Sequence, residues 1–346
     1  MPRIFLTGAT GYIGGQVLHD LVAARPDLQI RALVRNEQGA KAVSAAFNNV
    51  ETVAGDLDNA EVLSNEVQYA DVVLHLAATG HLGSVQTIHK AFEARSANSP
   101  AHWIQISGAS ALAAGELADS SRVPGSPSDV IFDDLNGVSE IINVIQRHPA
   151  RAVDNYLLAV ARGSPQVNTA LVFPGIIYGR AEGPGNQESV QIPSLAKAAL
   201  RRGRGVQVGE GSSRWGNVHV RDVGSLFVAL VERALAPKES DSQRWNSSGL
   251  YLTGVGELPF SEIVSRITAS AAAKGLVPNG EAVDQVLGDE VDNVLPHGLV
   301  LYGTNARGSA RRARELLGWK PRVGEAGLDE EIPRAVDEAA KSLSSA

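Results

Sequence analysis

Thr7-Gly8-Ala9-Thr10-Gly11-Tyr12-Ile13-Gly14 follows a short apolar run, Arg3 to Thr7, and opens a stretch in which Ile13, Val17, Leu18, Leu21 and Val22 recur at helical spacing. A strand, three spaced glycines and a helix form the context in which such a fingerprint carries meaning. Gly8 permits a tight turn, Gly11 lets the backbone approach a pyrophosphate, and Gly14 lets helix and strand pack closely. The helix N-terminus then offers amide N–H groups and a positive dipole end to phosphate. Gly8, Thr10, Gly11, Tyr12, Ile13 and Gly14 are therefore the candidate contacts of a dinucleotide.

Outward from this loop, apolar runs alternate with helical patterns. Gln29 to Arg35, Val50 to Val53, Ala70 to Leu76, Trp103 to Ile106 and Thr169 to Phe173 read as strands two to six, and Leu250 to Thr253 as a further one. Strands separated by helices of ten or more residues imply right-handed crossovers and a parallel sheet. The expected fold is α/β: a Rossmann-type, doubly wound parallel sheet with a smaller, mainly C-terminal substrate-binding region. The expected division is a dinucleotide-binding core over 1–173 and a substrate-binding region over 174–346, with 217–254 returning to the core. Val223, Leu226, Phe227, Leu230, Val231 and Ala234 predict one long amphipathic helix, Ile263 to Ala273 and Ala310 to Leu317 two more, and the chain ends in a Ser/Ala-rich tail. The polar stretch Gly115 to Asp134 reads either as a surface loop or, from its place beyond the carboxyl end of a strand, as a lid.

The end of the second strand bears on which dinucleotide fits. An acid there would bind the ribose hydroxyls of NAD, whereas a basic residue accommodates the 2′-phosphate of NADP. The chain has Val34-Arg35-Asn36, with no acid at that point. Arg35 is either a phosphate clamp or a solvated surface charge, and NADP(H) is expected over NAD(H).

Composition narrows the rest. The 346 residues are 44% hydrophobic and 20% charged, enough apolar material for a large core, which excludes disorder over most of the chain. With no cysteine, disulfides, thiolate metal sites and a cysteine nucleophile are excluded. A formal charge of −7 leaves no bulk electrostatic footprint for nucleic acid. No stretch approaches a membrane span, and a cytoplasmic protein with a small-molecule substrate is expected, with room for a homodimer. No metal site is expected: the eight histidines are scattered, His75 lies in an apolar strand and reads as a satisfied core histidine, and neither HExxH nor Gly-x-Ser-x-Gly occurs.

On these residues the chain resembles the extended and atypical short-chain dehydrogenases/reductases, the NAD-dependent epimerase/dehydratase group. TGATGYIG is similar to that group's glycine motif, and Gly55-Asp56-Leu57 to its adenine-contacting turn. Leu74-His75-Leu76-Ala77-Ala78 matches the strand whose end lies beside the cofactor ribose. Val172-Phe173-Pro174-Gly175-Ile176-Ile177-Tyr178-Gly179 resembles the segment near the nicotinamide, with Phe173 where the family usually has Arg. Asn217 to Val223 is similar to the VHVxDV element, and Leu316 to Pro321 to the terminal LGWxP. The resemblance implies cofactor contacts at Asp56, Leu57, Leu76, Ala77, Ala78, Pro174, Gly175 and Ile176.

The family's usual machinery, a Ser/Thr after the fifth strand and Tyr-x-x-x-Lys on the next long helix, is where the chain departs. None of its six tyrosines is followed four residues later by Lys, and no Lys occurs between Lys90 and Lys197. Placing Asp154 at the family's downstream Glu puts Ala150 and Gln146 at the Lys and Tyr positions; a shift of one puts Arg151 and Arg147 there. Neither register restores the pair.

Four polar side chains remain. Ser107 and Ser110 flank the family's Ser/Thr position, to hydrogen-bond a substrate oxygen or the nicotinamide amide, or to cap a turn. His148 is a candidate acid/base, because imidazole titrates near neutrality, or a cap, with Pro149 opening a helix after it. Arg151 cannot donate a proton at its pKa but can hold an anion. Tyr156 is expected to face away into the core. Three functions stand on this basis: an NADP(H)-dependent oxidoreductase or epimerase with a non-standard catalytic set (His148, Ser110, Arg151), an NADP-binding redox sensor without turnover, and a non-redox lyase or isomerase on the same fold.

Overall fold

The computed structural model describes residues 1–95, 101–164, 166–236, 242–324 and 326–345. Seven strands form one sheet: β1 (Arg3–Thr7), β2 (Gln29–Val34), β3 (Val50–Ala54), β4 (Val72–His75), β5 (Ala101–Ile106), β6 (Val167–Phe173) and β7 (Leu250–Leu252). Their spatial order is β7-β6-β5-β4-β1-β2-β3 and every pairing is parallel. The order reverses between β1 and β4, and ligands of such sheets bind outside the carboxyl ends of the strands at that point. Helices cover both faces, so consecutive residues of the central strands are mostly apolar, as at residues 4–6 and 72–74. In β1, Phe5 enters one core with Val73 and Trp103, while Ile4 and Leu6 enter the other with Val72 and Leu74.

The glycine loop is followed by the helix Tyr12–Ala24, and the long amphipathic helix Val220–Leu235 packs against it. That helix and β7 carry most of the returning segment in the core, but the strand that opens it lies elsewhere. Arg214–His219 belongs to a separate three-stranded sheet with Ile176–Tyr178 and Gly256–Pro259. These short strands carry no alternation that a sequence pattern would reveal. The chain's end also differs from the expected tail: Gly327–Ser344 is helical and buries Leu328, Ile332, Ala335, Val336 and Ala339.

The polar stretch 115–134 is largely exposed, as a surface loop would be, but it is pinned to the C-terminal half at several points. Gly125 donates to the Gly303 carbonyl (2.8 Å) and its own carbonyl accepts from Ser212 and Ser213. Phe132–Asp133 pairs in parallel with Gly308–Ser309. Asp134, fully buried, accepts from the amides of Leu252, Arg311 and Arg312 at 2.9, 2.7 and 2.8 Å. Burial nevertheless pushes its carboxyl up to about 6. Backbone donors of the C-terminal half thus hold this stretch in place. Among the described residues no helix is long and apolar enough to cross a membrane.

Candidate active site

Gly8 has φ +86°, a conformation that favours glycine, and a Cβ there would lie 2.8 Å from the Leu76 carbonyl carbon and 2.9 Å from Ala77. The end of β1 therefore touches the end of β4 at the switch point. A Cβ on Gly14 would lie 2.2 Å from the Gly8 carbonyl oxygen, so Gly14 is the close helix-to-strand contact that its position implied. Gly11 is freer, with only the Gly8 oxygen near its notional Cβ, at 3.2 Å. Its N–H closes the turn onto that oxygen (2.9 Å), and its carbonyl accepts the first helical bond, from Gly15. The amides of Tyr12, Ile13 and Gly14 consequently have no acceptor within the helix. No side chain caps this terminus and its first turn holds no acid. Uncapped amides and an open glycine face fit a pyrophosphate.

A hydrogen-bonded relay fixes the loop from behind. Ser84 Oγ donates to the His81 carbonyl (2.9 Å), so it must accept from His75 Nε2 at 3.0 Å. That sets the tautomer: Nδ1 accepts from Thr7 Oγ1 at 2.8 Å. Thr7 Oγ1 in turn accepts from the amides of Leu76 (3.1 Å) and Ala77 (3.3 Å). His75 is fully buried, and burial, with some help from His81, pushes its pKa down to about 3. It is the satisfied core histidine that the sequence suggested, and it ties β1 to the β4 end.

The remaining cofactor candidates surround this centre. Arg35 is exposed at the end of β2, and among the described residues no carboxylate pairs with it; Asn36 is occupied capping the next helix through Gly39 (2.8 Å). The nearby acid in sequence, Glu37, pairs with Lys41 at 2.6 Å. Asp56 is exposed, with one carboxylate oxygen holding the amides of Asp58 and Asn59 in a turn that carries Leu57. Ala77 is exposed and the Ala78 carbonyl accepts from Gln105 (3.4 Å). Pro174, Gly175 and Ile176 cross from β6 to the small sheet: the Pro174 carbonyl accepts from Ala109 (2.8 Å), and Ile176 pairs with Asn217. The segment after them lies over the first loop, with Tyr12 donating to the Gly179 carbonyl (2.6 Å) and Asn186 to that of Thr10 (2.9 Å).

Beyond β5 the polar side chains converge. Ser107 Oγ donates to Asp154 (2.7 Å), and Arg151 Nε donates to the other oxygen of that carboxylate (2.8 Å). The same guanidinium donates to Ser107 and Ser110, each at 3.2 Å. Burial raises the Asp154 pKa, against the charge of Arg151 and the two hydrogen bonds that lower it. Ser107, Ser110 and Arg151 are thus brought together around Asp154, a partner that the sequence reading did not place among them. Its signal was an acid three residues after an arginine at a helix start.

His148 is placed differently from expectation. Its Nδ1–H donates to the Val144 carbonyl (2.6 Å) at the end of the preceding helix, Val138–Gln146. Pro149 opens no helix; the next one starts at Ala152, with Arg151 at its N-cap. Tyr156 is half-buried and bonds His89 (2.8 Å), away from the cluster. Tyr178 is buried, its hydroxyl donating to the Gly324 carbonyl. Among the described residues one group has metal-compatible spacing, His19, Asp20 and Glu182, but Gln16 already donates to Asp20 (2.9 Å) and Arg221 to Glu182 (3.0 Å).

Residues 8–126 match the NAD(P)H-binding family. The chain is 32% identical over 325 residues to the oxidase ucsJ of an Acremonium species, covering 92% of each protein. It is 27% identical over 239 residues to a 4-hydroxy-2-methyl-3-oxo-4-farnesyl-3,4-dihydroquinoline-1-oxide ketoreductase of Stigmatella aurantiaca, covering 67% of this chain and 65% of that one. Among solved structures, dTDP-glucose 4,6-dehydratase of Bacillus anthracis in complex with NAD superposes with a TM-score of 0.66 at 16% identity, over 99% and 97% of the two chains.

Proposed function

The chain belongs to the NAD-dependent epimerase/dehydratase type of short-chain dehydrogenases/reductases, and from that premise we propose that it is an NADP(H)-dependent oxidoreductase or epimerase acting on a small carbonyl or alcohol compound without Tyr-x-x-x-Lys. The observation that carries this reading is the pairing of an uncapped glycine cradle with a hydroxyl–guanidinium cluster just beyond β5.

The amides of Tyr12, Ile13 and Gly14 would hold the pyrophosphate, Asp56 and Leu57 the adenine side, and Leu76 to Ala78 the ribose. Arg35 favours the 2′-phosphate because, among the described residues, no carboxylate is paired with it and the guanidinium is exposed for that charge. When bound, the nicotinamide supplies hydride transfer. The chain supplies hydrogen bonds and a proton. Ser107 has committed its hydroxyl proton to Asp154, whereas Ser110 only accepts from Arg151. The Ser110 proton is therefore free to bind a substrate oxygen, polarised by the guanidinium behind it. His148, with Nδ1–H held by Val144, keeps the Nε2 lone pair as the site for exchanging a proton.

Oxidation of NADPH with a panel of ketones and aldehydes tests this, the Ser110→Ala and His148→Ala variants serving as controls. The sensor reading is favoured by the absent lysine, and it is the outcome if NADPH binds and no panel member turns over.

A further inference from the structure

On the small sheet, Asn217 pairs with Ile176 on one side and with Gly256 on the other. Side chains alternate along a strand, so Asn217 shares a face with Trp215 and His219. Trp215, Ile176 and Tyr178 enter the same core as Leu328 and Ile332 of the C-terminal helix. Asn217 therefore points toward that helix, and Gly256 opposite it has no side chain to fill the space beside the amide. A pit of about 220 Å³ lies there, its lining including Asn217, Gly256, Leu258, Arg266, Leu328 and Asp329. Among the described residues, none from the glycine loop or the Ser110–Arg151 cluster lines it.

Asn217 is 2% exposed, and among the described residues its side-chain amide has no hydrogen-bond partner. A buried amide left without partners carries a desolvation cost that a ligand can remove. The charges around the pit are already compensated. Arg266 donates to Glu262 (2.8 Å) and to Asp329 (2.6 Å) at the rim. Glu257 alternates onto the opposite face of its strand, where Arg307 holds both carboxylate oxygens at 2.9 and 3.1 Å. An ion of either sign would compete with these pairs, whereas a neutral ligand leaves them intact. The amide donates and accepts at once, which suits two adjacent hydroxyls. Leu258 and the fully buried Leu328 offer an apolar wall to ring carbons. A cavity of about 150 Å³ holds benzene, so this pit has room for a six-membered ring with its substituents.

We propose that the pit binds a small uncharged cyclic polyol, with adjacent hydroxyls on the Asn217 amide, at a site separate from the dinucleotide loop and the polar cluster. The proposal goes beyond the oxidoreductase reading and does not depend on it.

Saturation-transfer difference NMR on the full chain, with myo-inositol, cyclohexanol and cyclohexanecarboxylate as probes, tests it. Inositol should bind, cyclohexanol more weakly, and the carboxylate not at all. Asn217→Leu should weaken inositol at least about tenfold, the scale of one or two neutral hydrogen bonds. Ala326→Trp, at an exposed residue of the lining, should close the pit and do the same without disturbing a buried side chain, so it decides the matter if Asn217→Leu does not fold. Saturating NADPH should leave the inositol signal unchanged. No transfer to inositol, an undiminished signal in Ala326→Trp, tighter binding of the carboxylate, or displacement of inositol by NADPH overturns the proposal.

Discussion

Replacing His75 by Gln should change how stability depends on pH. In the native protein the imidazole is neutral, accepting from Thr7 and donating to Ser84, with its pKa pushed by burial to about 3. In the unfolded chain it titrates near its ordinary value of about 6.5. Between those values the unfolded state binds more protons than the native one, so stability rises with pH through the window and is lost as pH falls from 6.5 toward 3. The slope approaches about 1.4 kcal/mol per pH unit, and the whole window amounts to about 5 kcal/mol. From pH 7 to pH 5 the loss from this one residue is about 2 kcal/mol. Urea unfolding of wild type and His75→Gln at both pH values isolates it, because other groups cancel in the difference. The variant is less stable at pH 7, and the gap should narrow by about 2 kcal/mol at pH 5. Parallel losses in the two proteins would mean that His75 is not held neutral and that the relay behind the glycine loop is misread.

Gly14→Ala should abolish dinucleotide binding and lower stability, because its Cβ would collide with backbone at 2.2 Å; circular dichroism with calorimetry reads both. Gly11→Val should leave the fold intact, since its Cβ meets only one atom at 3.2 Å, yet sharply weaken nucleotide binding by filling the pyrophosphate approach; unchanged affinity in a folded variant counts against the cradle. His148→Ala should lower kcat about 10²-fold with nucleotide affinity intact, and normal turnover would assign the proton to the Ser110–Arg151 side. Asp154→Ala should destabilise by about 3 kcal/mol by leaving the Arg151 charge beside Ser107 unpaired, measured by urea unfolding.

The nucleotide-binding half was legible because its signals are local. Glycines at fixed spacing, fully apolar strands and amphipathic helices each occupy a short window, and the strand limits differ by only a residue or two, as at Thr169 against the observed Val167. The small sheet was not legible: Ile176–Tyr178 is three residues long, and Gly256–Pro259 is half-buried without alternation. The C-terminal helix was hidden by its Ser/Ala composition and by Pro333 inside it. Ser107 and Ser110 were readable from their position after β5 and Arg151 from the helix that replaces Tyr-x-x-x-Lys, but Asp154 acquires its meaning only when the helix from Ala152 brings it against Ser107. The stretch 115–134 reads as a polar loop because its ordering comes from backbone donors of distant residues, which leave no mark in its own composition.

Direct titration of the purified protein with NADPH and NADH, followed by nucleotide fluorescence, tests the proposed NADP(H) site most simply. Wild type should bind NADPH at least about tenfold more tightly than NADH, and Arg35→Ala should lose roughly 1.5–3 kcal/mol toward NADPH with little change toward NADH. Equal affinity for the two nucleotides, equal losses for both in the variant, or no binding of either would contradict an NADP(H) site at Arg35.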